Sequence, residues 1–272
     1  MKEYLREIVA RSAPRDAVNI LREYLQARIL ESLQDSGAWA SLAFMGGTSL
    51  RFLYRAPRFS EDLDFALETP SPEFDFLRLI ASARARFEKE RYRTEAKAST
   101  RAVVNKAFIR FPGLEHELGL SHRAEKALSV KVEVDTRPPA GAGLEVTTVR
   151  RHATLRLAHH DKPSLLAGKV AALLRRDWIK GRDVYDLVWY LSDPTWPEPN
   201  EVLLTNALRQ SGPAYLAAEV EGWKSALVRR LGEASWDGVK ADVERFLERP
   251  AEVWMVEQET VLSIMAQRGW QE

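Results

Sequence analysis

The chain has 272 residues, 45% of them hydrophobic, which is enough for one large or two modest domains with real cores. It has no cysteine, which excludes a disulfide framework and a thiolate metal centre; no apolar run reaches membrane-spanning length, and the charged N-terminus MKEYLREIVARSAPRD lacks an apolar signal core, so a cytoplasmic protein with no membrane partner is expected. The formal net charge of +1 hides an asymmetry: residues 1–190 carry +7 and residues 191–272 carry −6, which points to a polyanionic ligand on the first part, although charge halves of many chains differ this much.

In chain order, helices are predicted over 1–12 and 15–34, the second with Ala17, Ile20, Leu21, Tyr24, Leu25, Ile29 and Leu33 at helical spacing and Gly37 at its end. Residues 41–46 form a short apolar core strand. Gly46 and Gly47 follow, then a short helix from Thr48 to Tyr54, then a strand over 63–67. Ser71 and Pro72 have the form of a helix start, and the helix they open carries Phe76, Ile80, Ala83 and Phe87 on one face. Two antiparallel strands are expected in 94–111, and a polar loop over 113–126. Residues 128–135 then alternate cleanly, with Val130, Val132 and Val134 on one face and Lys131, Glu133 and Asp135 on the other. From Ser164 onward nearly everything reads as helix: 164–176, 181–191, 200–210, 213–231, 237–248 and 251–268. The expected fold is therefore α/β: an N-terminal lobe with a mixed sheet over 1–158, then an α-helical lobe over 159–272.

The chemistry concentrates in FMGGTSLRFLYRAPRFSEDLDF, residues 44–65. Strand residues two apart share a face, so Asp62 and Asp64 present their carboxylates together while Leu63 and Phe65 enter the core. Paired carboxylates repel unless a cation sits between them, and hard oxygen ligands in this arrangement suit Mg²⁺ with substrate phosphates completing the shell. Glycines without Cβ atoms let the backbone approach a phosphate at the start of the following helix. The competing reading is a glycine turn followed by an exposed acidic strand.

Gly-Gly-Thr-Ser-Leu-Arg followed by Arg-Phe-Ser-Glu-Asp-Leu-Asp-Phe resembles the AbiEii/AbiGii-like (MenT-type) nucleotidyltransferase toxins, within the DNA polymerase β-like superfamily. The fourteen residues between Gly47 and Asp62 are at the long end for that superfamily and ordinary for the toxin group. A superfamily member takes a third carboxylate from a later strand. The 128–135 strand is the candidate donor, and Glu133 and Asp135 both stand on its polar face. Asp135 is favoured, because Glu133 can pair with Lys131; a solvated edge strand is the plain alternative.

In the second half, Lys169 lies within LLAGKVAALLRR on the face of Leu165, Ala172 and Leu173. By periodicity alone it snorkels to solvent; the alternative is a point charge for a nucleotide phosphate. Asp183 and Asp186 follow in KGRDVYDL, and an acid in a first helical turn is already favoured by the helix dipole. The toxin family has this order, a lysine in an apolar helix and then an Arg-Asp motif, so the resemblance carries functional roles to Ser60, Asp62, Lys169 and Asp183. It implies Asp62, Asp64 and Asp135 (or Glu133) as ligands for Mg²⁺ or Mn²⁺, with Gly46, Gly47, Thr48, Ser60 and Lys169 around an NTP. The active site is expected in a cleft between the lobes. It further implies an acceptor RNA, the tRNA 3′ end, blocked translation, and a cognate antitoxin. A small-molecule or protein acceptor, and a non-catalytic RNA- or antitoxin-binding module, are the alternatives. The His159-His160-Asp161 run is read as structural, since adjacent residues rarely converge on one ion.

Overall fold

A computed structural model describes residues 2–212 and 222–270. The first helices are α1 (Lys2–Ala10) and α2 (Ala17–Asp35). On α2 the apolar residues Leu21, Leu25 and Ile29 are buried, but so are Glu23, Gln26 and Arg28. A buried charge is costly unless paired, and each of these has a partner, described below. Leu42–Met45 forms β1, whose Phe44 is completely buried. Helix α3 (Gly46–Tyr54) begins at the first glycine, two residues before the expected Thr48. Strand β2 is Asp62–Leu67.

Ser71 and Pro72 do not start a helix. The Ser71 hydroxyl accepts the Glu73 N–H in a local turn, and α4 (Phe76–Lys89) is capped instead by Asp75, whose carboxylate accepts the Arg78 N–H. The expected face of Phe76, Ile80, Ala83 and Phe87 is buried. Strands β3 (Glu95–Ser99) and β4 (Val104–Pro112) follow. The expected loop over 113–126 contains a short helix, α5 (Leu114–Glu117), because Leu114 is apolar enough to bury and Lys126 pairs with the buried Glu115 at 2.7 Å. Strand β5 (Ala127–Asp135) alternates as its sequence dictates.

Two strands were not anticipated by periodicity: β6 (Leu144–Arg151) and β7 (Ala153–His160). In β7, Leu155, Leu157 and His159 are buried while Thr154 and Arg156 are exposed, a period of two interrupted by too many polar residues to stand out. The sheet order is β3-β4-β5-β2-β1-β7-β6. It is mixed: β2 runs antiparallel to β1 and parallel to β5, and β1 runs parallel to β7. Its aromatic contacts include Phe44 with Phe65, ring centroids 5.3 Å apart. Burying such side chains contributes about 2–3 kcal/mol each.

The helical part comprises α6 (Lys162–Arg175), α7 (Gly181–Leu191), α8 (Glu201–Gln210), α9 (Trp223–Gly232), α10 (Trp236–Glu244) and α11 (Gln258–Gln267). The expected helix over 213–231 lies partly outside the described residues; its described part is α9. The expected 251–268 helix is split into a 3₁₀ stretch, Pro250–Val256, and α11, separated by Glu257 in extended conformation. Helix α6 starts at Asp161, whose carboxylate accepts the Ser164 N–H. By contacts the chain divides into two compact units. The first contains the sheet. The second contains His160 onward together with the short segments Ala56–Arg58 and Pro139–Glu145. Each has its own apolar core, around Phe44, Phe65 and Val132 in the first and Val170, Tyr185 and Leu227 in the second. Among the described residues no helix is long and apolar enough to cross a membrane.

Candidate active site

In the first unit the glycine turn and the acidic strand form one structure. Gly46 has φ of +79°, a conformation that favours glycine. A Cβ placed there would run into the Asp64 carboxylate. The glycine is thus required twice, by its backbone and by the close approach of an acid. The Ser49 hydroxyl closes the turn by donating to the Gly46 carbonyl at 2.8 Å.

The strand segment is held from two sides. The Gln26 side-chain amide donates to the Ser60 carbonyl at 3.0 Å, and the Thr48 hydroxyl donates to the Asp62 carbonyl. Thr48 is fully buried, and its hydroxyl is committed to the Asp62 carbonyl. Ser60, Asp62 and Asp64 are each partly exposed.

The parallel register of β2 and β5 places Lys131 opposite Asp62 and Glu133 opposite Asp64. Asp135 stands opposite Ala66, two positions past Asp64, and its carboxylate accepts the Arg137 N–H. The structure therefore does not bring Asp135 to the acidic pair. The acid across from Asp64 is Glu133, which pairs with Lys131 at 2.5 Å. Burial pushes the Lys131 ammonium down, but Glu133, Asp62 and Asp64 outweigh that and hold it above its ordinary value. Among the described residues no three His, Asp or Glu side chains converge as a metal site.

Behind this face, the buried Glu23 of α2 receives Arg51 of α3, Arg151 at 2.7 Å and His152 at 3.0 Å. Burial raises the Glu23 carboxyl, yet these partners prevail and bring it down to about 2. The cluster ties α2 and α3 to the end of β6.

In the second unit the lysine does not snorkel. The Lys169 ammonium is buried between two carboxylates, Asp183 at 2.9 Å and Asp186 at 2.6 Å. The Arg58 guanidinium donates to both oxygens of Asp186, through Nε at 2.6 Å, and Arg176 pairs with the other oxygen of Asp183. Burial lowers the Lys169 pKa, but Asp183 and Asp186 raise it further, so the ammonium stays charged. Asp183 is driven well below the usual carboxylate range: burial opposes this, and Lys169 and Arg176 overcome it. Gly181 opens α7 because a Cβ there would collide with the Val239 carbonyl.

The pairing of Arg58 with Asp186 was not visible in the sequence, since they are 128 residues apart and nothing in local spacing links them. The one signal was Asp186 lying three residues after Asp183 on the same helix. His159 is buried, with its Nε2 2.9 Å from the Thr147 hydroxyl, a structural role.

A sequence profile described as "Nucleotidyl transferase AbiEii toxin, Type IV TA system" matches residues 28–258. No curated protein sequence matches the chain. Among solved structures, the fold is similar to MenT4, a nucleotidyltransferase toxin from Mycobacterium tuberculosis H37Rv, at a TM-score of 0.58 and 18% identity, over 97% of this chain and 92% of that one. JHP933 from Helicobacter pylori aligns over 93% of this chain and 98% of its own, with a TM-score of 0.49 and 17% identity. The chain belongs to the AbiEii family, the nucleotidyltransferase toxins of type IV toxin–antitoxin systems.

Proposed function

We propose that the chain transfers a nucleoside monophosphate from an NTP to RNA, at the 3′ acceptor end of tRNA, and so blocks translation until a cognate antitoxin neutralises it. The observation that carries this reading is the Asp62/Asp64 pair on one strand face, packed against a glycine turn that opens α3. In the reaction the acceptor hydroxyl gives up its proton to solvent, its oxygen bonds to the α-phosphorus, the bond from that phosphorus to the β-phosphate oxygen breaks, and pyrophosphate leaves.

The donor set fits a hard divalent cation. Asp62 and Asp64 offer carboxylate oxygens, and the family's chemistry favours Mg²⁺ or Mn²⁺. Glu133 is the third carboxylate nearest in register. When bound, such an ion neutralises phosphate charge and lowers the pKa of an attacking hydroxyl. The N–H groups of Gly47 and Thr48, in the first turn of α3, are the donors this reading assigns to phosphate oxygens, with the Ser60 hydroxyl as a further donor. Lys169 is the residue this reading assigns to balance triphosphate charge. Asp183, kept ionised by its two cations, is too weak a base to remove a proton and serves to aim Lys169.

Incubating the protein with each labelled NTP, total tRNA, an aminoglycoside mixture and no acceptor sorts the possibilities. Label on RNA supports the reading. Label on a small molecule or on protein moves the acceptor to another class, and no label anywhere returns the chain to a binding module.

A further inference from the structure

We propose that the turn between α6 and α7, residues 176–180, is a platform that stacks and holds the unpaired 3′ end of an acceptor RNA. This rests on the reading of RNA as acceptor. Trp178 supplies the stacking face and Lys180 the positive charge, beside the paired Arg176.

Residues 175–182, RRDWIKGR, hold four basic side chains and one acid around a single tryptophan. The Trp178 indole is 59% exposed, whereas Trp270 in the same unit is buried. A lone exposed apolar side chain needs no explanation; this one is set apart by how it is presented. The Arg230 guanidinium donates to the carbonyls of Arg176 and Asp177, at 2.7 and 2.8 Å, and so pins the turn just before the ring. A hollow of about 310 Å³ adjoins the indole, lined by Ile179, Ala234, Ser235 and Gly238 together with the charged Asp177, Glu233 and Arg230. Small residues there leave room for a flat ring.

The charge around it is mixed: Arg176 and Arg182 are paired with Asp183 and Asp242, and Asp177 and Glu233 line the hollow, which leaves Lys180 as the cation to offer a phosphate. The Lys180 side chain forms no ion pair or hydrogen bond among the described residues. Burial, then the neighbouring Arg182 and Arg176, push its pKa down against the opposing pull of Asp183. Arg176 stays partly exposed while bonded to Asp183. An exposed aromatic ring on a turn whose backbone is pinned, with cations beside it, is the arrangement that single-stranded nucleic acid uses: bases stack on the ring while phosphates track the charge, with no need of sequence. A folded protein partner would instead call for a larger apolar area than one indole. The turn also joins the helix of Lys169 to that of Asp183, so the platform is built into the reactive cluster of this unit.

The test uses the full chain and measures binding separately from transfer. Fluorescence anisotropy is recorded with labelled total tRNA and with the same tRNA trimmed of its unpaired 3′ nucleotides. The proteins are wild type, Trp178→Ala, Trp178→Phe and Asp62→Ala. Trp178→Ala should weaken binding of intact tRNA about tenfold, the size of one lost base–aromatic stack, with Trp178→Phe retaining most of the affinity. Trimmed tRNA should bind all proteins equally weakly, and NTP affinity should be unchanged in Trp178→Ala. Unchanged tRNA affinity in Trp178→Ala, equal loss with trimmed tRNA, or loss of NTP affinity instead would each overturn the platform, as would failure of the wild type to bind tRNA. If Trp178→Ala binds normally while wild type still labels RNA, only the platform fails. If Trp178→Ala weakens binding while no RNA is labelled, the platform stands and the transferase reading fails.

Discussion

Gly46 and Lys169 show what a single position decides. A methyl group at Gly46 meets Asp64, and the backbone there is left-handed. Gly46→Ala should therefore cost about 1–3 kcal/mol of stability and displace the Asp64 carboxylate. Transfer should fall by more than the lost stability explains, which rate measurement at a temperature where both proteins are folded checks directly. Lys169 carries the opposite lesson. Its periodicity reads as a surface lysine, for which truncation is nearly neutral; the structure buries it against two acids. Removing one partner of a buried pair typically costs about 3–5 kcal/mol. Lys169→Met should fall toward the low end of that range, because Asp183 keeps Arg176 and Asp186 keeps Arg58. Urea midpoints compare the two. An unchanged midpoint would show that the ammonium is in water.

At the scale of elements, α2 behaves least like its sequence. An amphipathic helix should bury one stripe, yet α2 also buries Glu23, Gln26 and Arg28. Each connects to a different element: Glu23 to Arg51 and Arg151, Gln26 to the strand carrying the acids, Arg28 to Glu90. The Glu23 pairing has a pH signature. Its carboxyl is depressed from 4.5 to about 2, so the stabilisation is full above about pH 4.5 and is lost as pH falls toward 2. Glu23→Gln should lose about 3 kcal/mol at neutral pH and show a flatter dependence between pH 4.5 and 2. Parallel acid titrations followed by far-UV circular dichroism would contradict the assignment by giving curves of the same shape.

The elements that alternate strongly or repeat every three to four residues, β5, α4 and α7, were legible because burial on one face leaves a pattern. The β6 and β7 pair was not. Its exposed Leu144, Val146 and Thr148 sit where polar residues would mark a face, so the alternation is blurred. The third carboxylate was undecidable for a related reason. Glu133 and Asp135 share a face, and only the register of β5 on β2 tells them apart.

Taken whole, the chain gathers its candidate site residues in two clusters, one in each compact unit. In the sheet unit, the packing of the glycine turn against the acidic strand was readable from 22 consecutive residues, because the two segments are neighbours in sequence. In the helical unit, Lys169 and Asp183 gained meaning only from family resemblance, and Arg58 and Asp186 only from folding. The basic balance of residues 1–190 agrees with a polyanionic substrate but does not name one. Naming the acceptor requires chemistry at the two carboxylates.

The most direct measurement is incorporation of labelled nucleotide into tRNA at saturating Mg²⁺ by wild type, Asp62→Ala and Asp64→Ala, with thermal melts of all three. The account predicts label on RNA with wild type and a loss on the order of a hundredfold or more in each variant. Melting temperatures should stay level, since removing one acid relieves repulsion within the pair. Wild-type incorporation in either variant would contradict the account.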